Sequence, residues 1–193
     1  MPKLGMEPIR RAALVDATIA QIGETGSLDV TVAQIAKRAG MSPALAHHYF
    51  GGKEQIFLAA MRHTLTVYGA EVRSALLLAE GPKARLQAVI RAGFGPANFR
   101  PEVIAAWLNF YVLARVSTDA ARLLHVYQAR LRSNLRHDLR PLVGDRTQDV
   151  SERLAGLIDG LYLRQGLASQ ADGRAATRLV LDALDLELAV AAK

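Results

Sequence analysis

Between Thr31 and Phe50 the chain carries two helical segments too short to stand alone, separated only by Gly40-Met41-Ser42. The first opens at Thr31 and sets Val32, Ile35, Ala36 and Ala39 at the i, i+3, i+4, i+7 spacing of a helix buried on one face. Gly40 stops it. Ser42-Pro43 then restarts the helix, because serine is a favoured N-cap and proline suits the first helical position. The second segment runs from Pro43 to about Phe50 and is closed by Gly51-Gly52. Isolated helices below roughly 12–15 residues are marginal in water, so this pair needs a third wall. A helix from about Glu7 to Glu24 supplies it, with Ile9, Ala13, Ala17 and Ala20 recurring at helical spacing and Gly26 at the C-cap. In such a trio Ala46 and Phe50 turn inward with Ile35 and Ala39. Pro43, Ala44, Leu45, His47 and His48 then face outward. On spacing alone the pair fits a plain αα-hairpin as well as a DNA-reading helix-turn-helix.

The rest of the chain continues in the same style. Alanine and leucine, both strong helix formers, dominate, and aromatic residues make up only 6%. The fold class expected is all-α, with about nine helices. After the first three come Lys53 to about Leu78, then approximately 83–93, 101–116, 119–139, 147–169 and 173–191, with breaks at Gly81-Pro82, Gly93 to Pro101, Ser117-Thr118, Pro141 to Gly144 and Asp172-Gly173. No linker of distinct composition interrupts the series. The expected division is therefore a helix-turn-helix domain over 7–65 and a larger helical domain over 66–193, meeting along the long fourth helix.

Composition narrows the function classes. With no cysteine, disulfides, thiolate catalysis and cysteine metal sites are excluded, and neither a metal nor a cofactor is expected. Gly51-Gly52-Lys53 lacks the upstream glycine of a P-loop, since position 47 is histidine. No serine lies in a GxSxG context and no histidine pair in an HExxH one, so an enzyme is not expected. The longest uncharged apolar run, Val103 to Ala114, is too short to span a bilayer, and no signal-type segment follows Met1. A cytoplasmic protein without a membrane partner is the expectation. The net charge of +6 suits a polyanion, but residues 1–63 hold seven Lys/Arg against five Asp/Glu, so basicity permits DNA binding without locating it. Seven arginines between Arg115 and Arg146 leave open a helical module that binds something other than DNA.

Residue identity decides what spacing leaves open. Thr31, Ile35-Ala36, Ala39-Gly40, Ser42, Tyr49-Phe50 and Lys53-Glu54 together resemble the signature of the TetR family of repressors. That resemblance implies an all-helical homodimer whose three N-terminal helices bind double-stranded operator DNA and whose larger C-terminal part binds a small-molecule inducer. It makes Pro43, Ala44, Leu45, His47 and His48 candidates for base edges or nearby backbone. Thr31, Tyr49 and Lys53 become candidates for phosphates, where helix N-termini, lysine and tyrosine offer donors, and Ser42 is a further DNA-binding candidate. The outward surface has no Arg, Asn or Gln, so bidentate reading of guanine or adenine is not available to it. Ala44 and Leu45 suit thymine methyls, and either histidine could donate to a guanine or a phosphate. Lys3, Arg10, Arg11, Lys37 and Arg38 are further candidates for the DNA backbone.

A narrower set of blocks resembles one branch of that family, repressors of glycine-betaine synthesis from choline: Met1 to Met6, Arg10-Arg11, His48-Tyr49-Phe50, Ala106-Trp107-Leu108, and Leu157 to Leu161 with Leu163-Arg164. It implies choline as the inducer, a different small molecule being the alternative. A quaternary ammonium ion cannot donate a hydrogen bond and is held by aromatic faces and carboxylates. Trp107, Phe110 and Tyr111 share one helical stripe, and Asp159 lies in an otherwise apolar helix, so these four are the candidate ligand site. Ordinary core packing of the rings, with Asp159 paired to an arginine, is the competing account. For the homodimer, Val150, Leu154, Leu157, Ile158 and Leu161 form one candidate stripe and Leu179, Ala183 and Leu186 another, with Gly156 and Gly160 permitting close approach. These stripes serve equally as internal core.

Overall fold

The computed structural model describes residues 5–168 and 171–191. Its helices are α1 (Met6–Thr25), α2 (Val32–Arg38), α3 (Pro43–Phe50), α4 (Lys53–Leu77), α5 (Gly81–Gly93), α6 (Pro101–Leu113), α7 (Thr118–Val143), α8 (Thr147–Gly166) and α9 (Gly173–Ala191), with one 3-10 turn at Gly144–Arg146. Among the described residues there is no strand. None of their helices is long and apolar enough to cross a membrane. Most ends fall where local signals put them. α6 and α8 stop about a turn short of the expected ends, and α7 departs most, continuing through Pro141 to Val143. Proline there removes one hydrogen bond in the last turn, and the affected carbonyl belongs to exposed His137.

The chain divides into two compact units. The first takes residues up to Leu65 together with Pro101–Ala121, and the second takes Thr66–Arg100 and everything from Arg122 onward. This differs from a simple cut at 65/66, because α6 packs against α1. Two contacts account for the difference. A Cβ on Gly23 would lie 2.3 Å from the Cβ of Glu102, so only glycine lets α1 meet the start of α6 so closely. Asn109 then donates from Nδ2 to the Gly26 carbonyl at 3.2 Å, satisfying backbone just past the end of α1.

Within the first unit α1 buries Leu14, Val15, Ala17, Thr18, Ile19 and Ile22. The expected Ile9–Ala20 stripe is thus shifted, and Ile9 stays 63% exposed. A helix packed against both α2 and α6 needs two apolar faces, which a one-face periodicity reads incorrectly. Ile35, Ala36 and Ala46 are fully buried and close the trio.

The second unit has its own core. Leu86, Val89 and Ile90 of α5, Leu131, Leu135 and Leu139 of α7, Val150, Leu154 and Ile158 of α8, and Ala176, Val180 and Leu184 of α9 meet there. The α8 stripe expected at a dimer interface is therefore mostly internal: Val150, Leu154, Ile158 and Leu161 are buried within the unit. Buried Asp138 accepts from Arg85 Nε at 2.9 Å, which removes the cost of an unpaired charge. Of the seven arginines between 115 and 146, Arg132 and Arg136 pair with Glu152, and Arg146 pairs with Glu187.

Candidate nucleic-acid interface

The turn between α2 and α3 is held almost entirely by backbone. Thr31 and Gln34 form a capping box: the Thr31 hydroxyl accepts from the Gln34 amide at 3.2 Å, and Gln34 Oε1 accepts from the Thr31 amide at 2.7 Å. At the other end of α2 the Met41 amide donates to the Ala36 carbonyl at 2.9 Å and the Gly40 amide to the Lys37 carbonyl at 3.1 Å. This pair of bonds is a Schellman motif, and it requires the positive φ of +67° found at Gly40. Ser42 then accepts from the Leu45 amide at 3.3 Å and starts α3. The angle between the two short helices follows from these groups.

On α3 only Ala46 is buried. Pro43, Ala44, His47 and His48 are exposed, while Leu45, Tyr49 and Phe50 are half-buried. The expected outward set thus shares one surface, with Leu45 at its edge. From Thr31 to Phe50 there is no acidic side chain, so nothing on the pair repels a phosphate backbone. His47 is fixed more firmly than its exposure suggests. Its Nδ1 lies 2.8 Å from the Gly51 carbonyl, while the Gly51 amide donates back to the His47 carbonyl at 2.7 Å. His48 packs beside Tyr49, with ring centroids 5.5 Å apart.

Several expected backbone contacts have structural partners. Arg11 donates from Nη1 to the Tyr49 carbonyl at 2.7 Å and sets its guanidinium 4.4 Å from the centre of the Phe50 ring. It secures the C-terminal turn of α3, where a cation is favoured by the helix dipole. Arg10 reaches the Tyr49 hydroxyl at 3.5 Å. Arg38 forms a two-pronged pair with Glu24 at 2.6 and 2.7 Å and holds the Glu24 carboxyl below its ordinary range, chiefly through that hydrogen bond. Lys53 donates to the Leu28 carbonyl at 3.0 Å, using one of the three hydrogens of its ammonium. Lys37 is exposed, and Lys3 lies outside the described residues.

The candidate ligand residues fall into two groups. Trp107, Phe110 and Tyr111 come together on α6 in the first unit, with centroids 5.7 and 5.8 Å from Trp107. Phe110 is fully buried and also meets Phe57 at 6.3 Å. Asp159 belongs to the second unit. There the Tyr68 and Tyr127 rings pack at a 59° tilt with centroids 6.0 Å apart. Burial, and then the charges of Asp159 and Glu71, push the Tyr68 phenol well above its usual range. Glu71 accepts from Asn98 Nδ2, and the Asn98 carbonyl accepts from the Tyr162 hydroxyl at 2.7 Å. Phe94, Phe99 and Tyr162 pack together alongside, with centroids 5.4 to 6.4 Å apart. Neither these aromatics nor Glu71 belongs to the ligand site expected from the sequence, which was Trp107, Phe110, Tyr111 and Asp159. The spacing of Tyr68 and Glu71, three apart on one helix, was the available signal.

Comparison with known proteins assigns both halves. Residues 14–60 match the model described as bacterial regulatory proteins, tetR family, and residues 82–189 match the BetI-type transcriptional repressor, C-terminal. The chain is 50% identical over 190 residues to the HTH-type transcriptional regulator BetI of Brucella suis biovar 1, covering 97% of this chain and 96% of that one. It is 48% identical to the regulator of the same name from Agrobacterium fabrum, covering 97% and 92%. Among solved structures, a TetR transcription regulator from Haloarcula marismortui superposes with a TM-score of 0.82 at 19% identity, over 93% of this chain and 98% of that one. A transcriptional regulator from Saccharomonospora viridis in complex with choline gives 0.78 at 19% identity, over 91% and 95%. These relatives are regulators of transcription, not enzymes. The chain belongs to the TetR family of transcriptional repressors, and its C-terminal half is of the BetI type.

Proposed function

We propose that the chain works as a homodimer that represses choline-to-glycine-betaine genes and releases its operator when choline binds. The observation that carries the DNA part is the α3 surface: Pro43, Ala44, Leu45, His47 and His48 on one side of a helix whose entry angle is fixed by Gly40 and Ser42. Such a helix fits a major groove. Thr31, Ser42, Tyr49 and Lys53 are the proposed contacts around the flanking phosphates. Direct base reading by α3 is sparse, so phosphate positioning and DNA shape carry much of the selectivity.

Choline is favoured by the BetI-type C-terminal half and by the chemistry of the second unit. Tyr68, Tyr127, Glu71 and Asp159 combine aromatic faces with carboxylates, the set that a quaternary ammonium requires. The reading keeps Asp159 from the sequence-derived site. It replaces Trp107, Phe110 and Tyr111, which pack on one another within the first unit, by the two tyrosines.

The dimer rests on apolar surface that one chain leaves uncovered. On α8 and its C-cap, Gly156, Gly160, Leu163 and the C-cap residue Leu167 follow a 4-3-4 spacing, and Leu163 and Leu167 are 45% and 73% exposed. On α9, Leu179, Ala183, Leu186 and Val190 follow the same spacing, and the three larger residues are 49%, 70% and 62% exposed. A twofold partner would cover both stripes and supply the second reading head for a palindromic site.

A gel-shift titration on the DNA upstream of the protein's own gene tests the whole reading, with choline, betaine aldehyde and glycine betaine added in turn. Choline should release the complex. A complex indifferent to all three rejects choline and leaves the repressor standing, whereas no complex at all rejects the DNA role.

A further inference from the structure

We propose that His47 selects adenine or cytosine at one position of each half-site by accepting a hydrogen bond at Nε2. This inference rests on α3 being the DNA-reading helix and specifies what one of its side chains reads. A backbone carbonyl carries no proton, so in the 2.8 Å contact between His47 Nδ1 and the Gly51 carbonyl the ring nitrogen is the donor. The reciprocal bond from the Gly51 amide to the His47 carbonyl, at 2.7 Å, closes a small ring that holds the imidazole in place. Gly51 can turn its carbonyl back onto the helix because its φ is +82°, a conformation that suits glycine.

The consequence concerns the other nitrogen. A neutral imidazole has one N–H and one lone pair, so a proton committed at Nδ1 leaves Nε2 as an acceptor only. The exposed ring presents that lone pair outward. In the major groove the donors are the exocyclic amino groups, N6 of adenine and N4 of cytosine. Guanine O6 and N7 and thymine O4 are acceptors and would face the lone pair unfavourably. The local geometry thus reverses the sequence-based expectation that this histidine donates to guanine. Ala44 and Leu45, its apolar neighbours on the surface, suit thymine methyls and do not compete for the amino group.

The test is selection from a randomised duplex library at mildly alkaline pH, with the wild-type protein and His47→Ala. Wild type should enrich half-sites with one position restricted to adenine or cytosine, and His47→Ala should lose that restriction alone. Replacing that base by an analogue without its amino group, 2-aminopurine for adenine or 2-pyrimidinone for cytosine, should weaken wild type about 5- to 100-fold and His47→Ala hardly at all. Nitrogen NMR of the free protein at the same pH should show Nε2 as the unprotonated ring nitrogen, a readout independent of the variant's folding. An Nε2–H tautomer overturns the proposal. So does a uniform loss of affinity in His47→Ala with base preferences intact, since that describes a phosphate contact. Enrichment of no duplex by wild type overturns the DNA-binding reading and this proposal with it.

Discussion

Truncating Leu186 to alanine should weaken the dimer without weakening the fold. Leu186 and Leu184 stand two apart on α9, yet Leu184 is fully buried in the core of the second unit and Leu186 is 70% exposed. Fully burying a leucine is worth about 1.5–3 kcal/mol, so roughly 1–2 kcal/mol of that remains to be gained at Leu186 when a partner covers it. A twofold axis uses the residue once in each chain, so the loss doubles to about 2–4 kcal/mol, or about a 30- to 700-fold weaker dimer. Leu184→Ala is the control. It opens a cavity in the core and should cost about 2–5 kcal/mol of fold stability. Sedimentation equilibrium over a range of concentrations reads the first effect, and thermal melting of the same samples reads the second. The dimer reading fails if Leu186→Ala leaves the dissociation constant within twofold of wild type. It fails equally if Leu186→Ala melts like Leu184→Ala, because that would put Leu186 in the internal core.

Three other outcomes follow from particular contacts. Gly23→Ala forces a methyl against Glu102 and should destabilise the first unit by about 1–3 kcal/mol, seen as a lowered melting temperature. Gly40→Ala meets no neighbour within 4 Å, so its cost should be only the left-handed backbone, about 1–2 kcal/mol, read by chemical denaturation. Glu24 and Glu187 are both held below the ordinary carboxylate range, first by hydrogen bonds from Arg38 and Arg153 respectively. A carboxyl depressed in the folded state contributes stability above its unfolded value of about 4.3 and loses it as pH falls through the folded value. Melting temperature followed from about pH 6 downward should therefore drop less steeply in Glu24→Gln or Glu187→Gln than in wild type; an unchanged slope would show that these pairs add nothing.

Local signals were the legible ones. Thr31, Gly40, Ser42-Pro43 and Gly26 each act on backbone within a few residues, and the helix ends fall close to where they indicate. Contacts between distant residues were not legible. The bond from Asn109 to the Gly26 carbonyl spans 83 positions, and nothing near either residue announces it, so the transfer of α6 to the first unit went unread. The α8 stripes were ambiguous for a different reason. Periodicity does not distinguish a face turned to its own core from one left for a partner. Charge alone also hid the internal partners of Arg11: a cation near a reading helix suggests phosphate, and nothing local announced its contacts with the Tyr49 carbonyl and the Phe50 ring. The Nδ1 contact of His47 was within reach, since Gly51 stands four residues on and its position after α3 was already marked.

The Schellman turn at Gly40 separates what holds the reading head from what the head reads. Its bonds run between backbone atoms, and the side chains that shape the junction, Ile35, Ala36 and Ala46, point away from the exposed surface of α3. Ala44 and His48 bear on neither. Exchanging them costs the framework little, so the exposed face of α3 can change at both positions while the fold stays untouched. The rigidity of the junction is what makes its vocabulary cheap to rewrite.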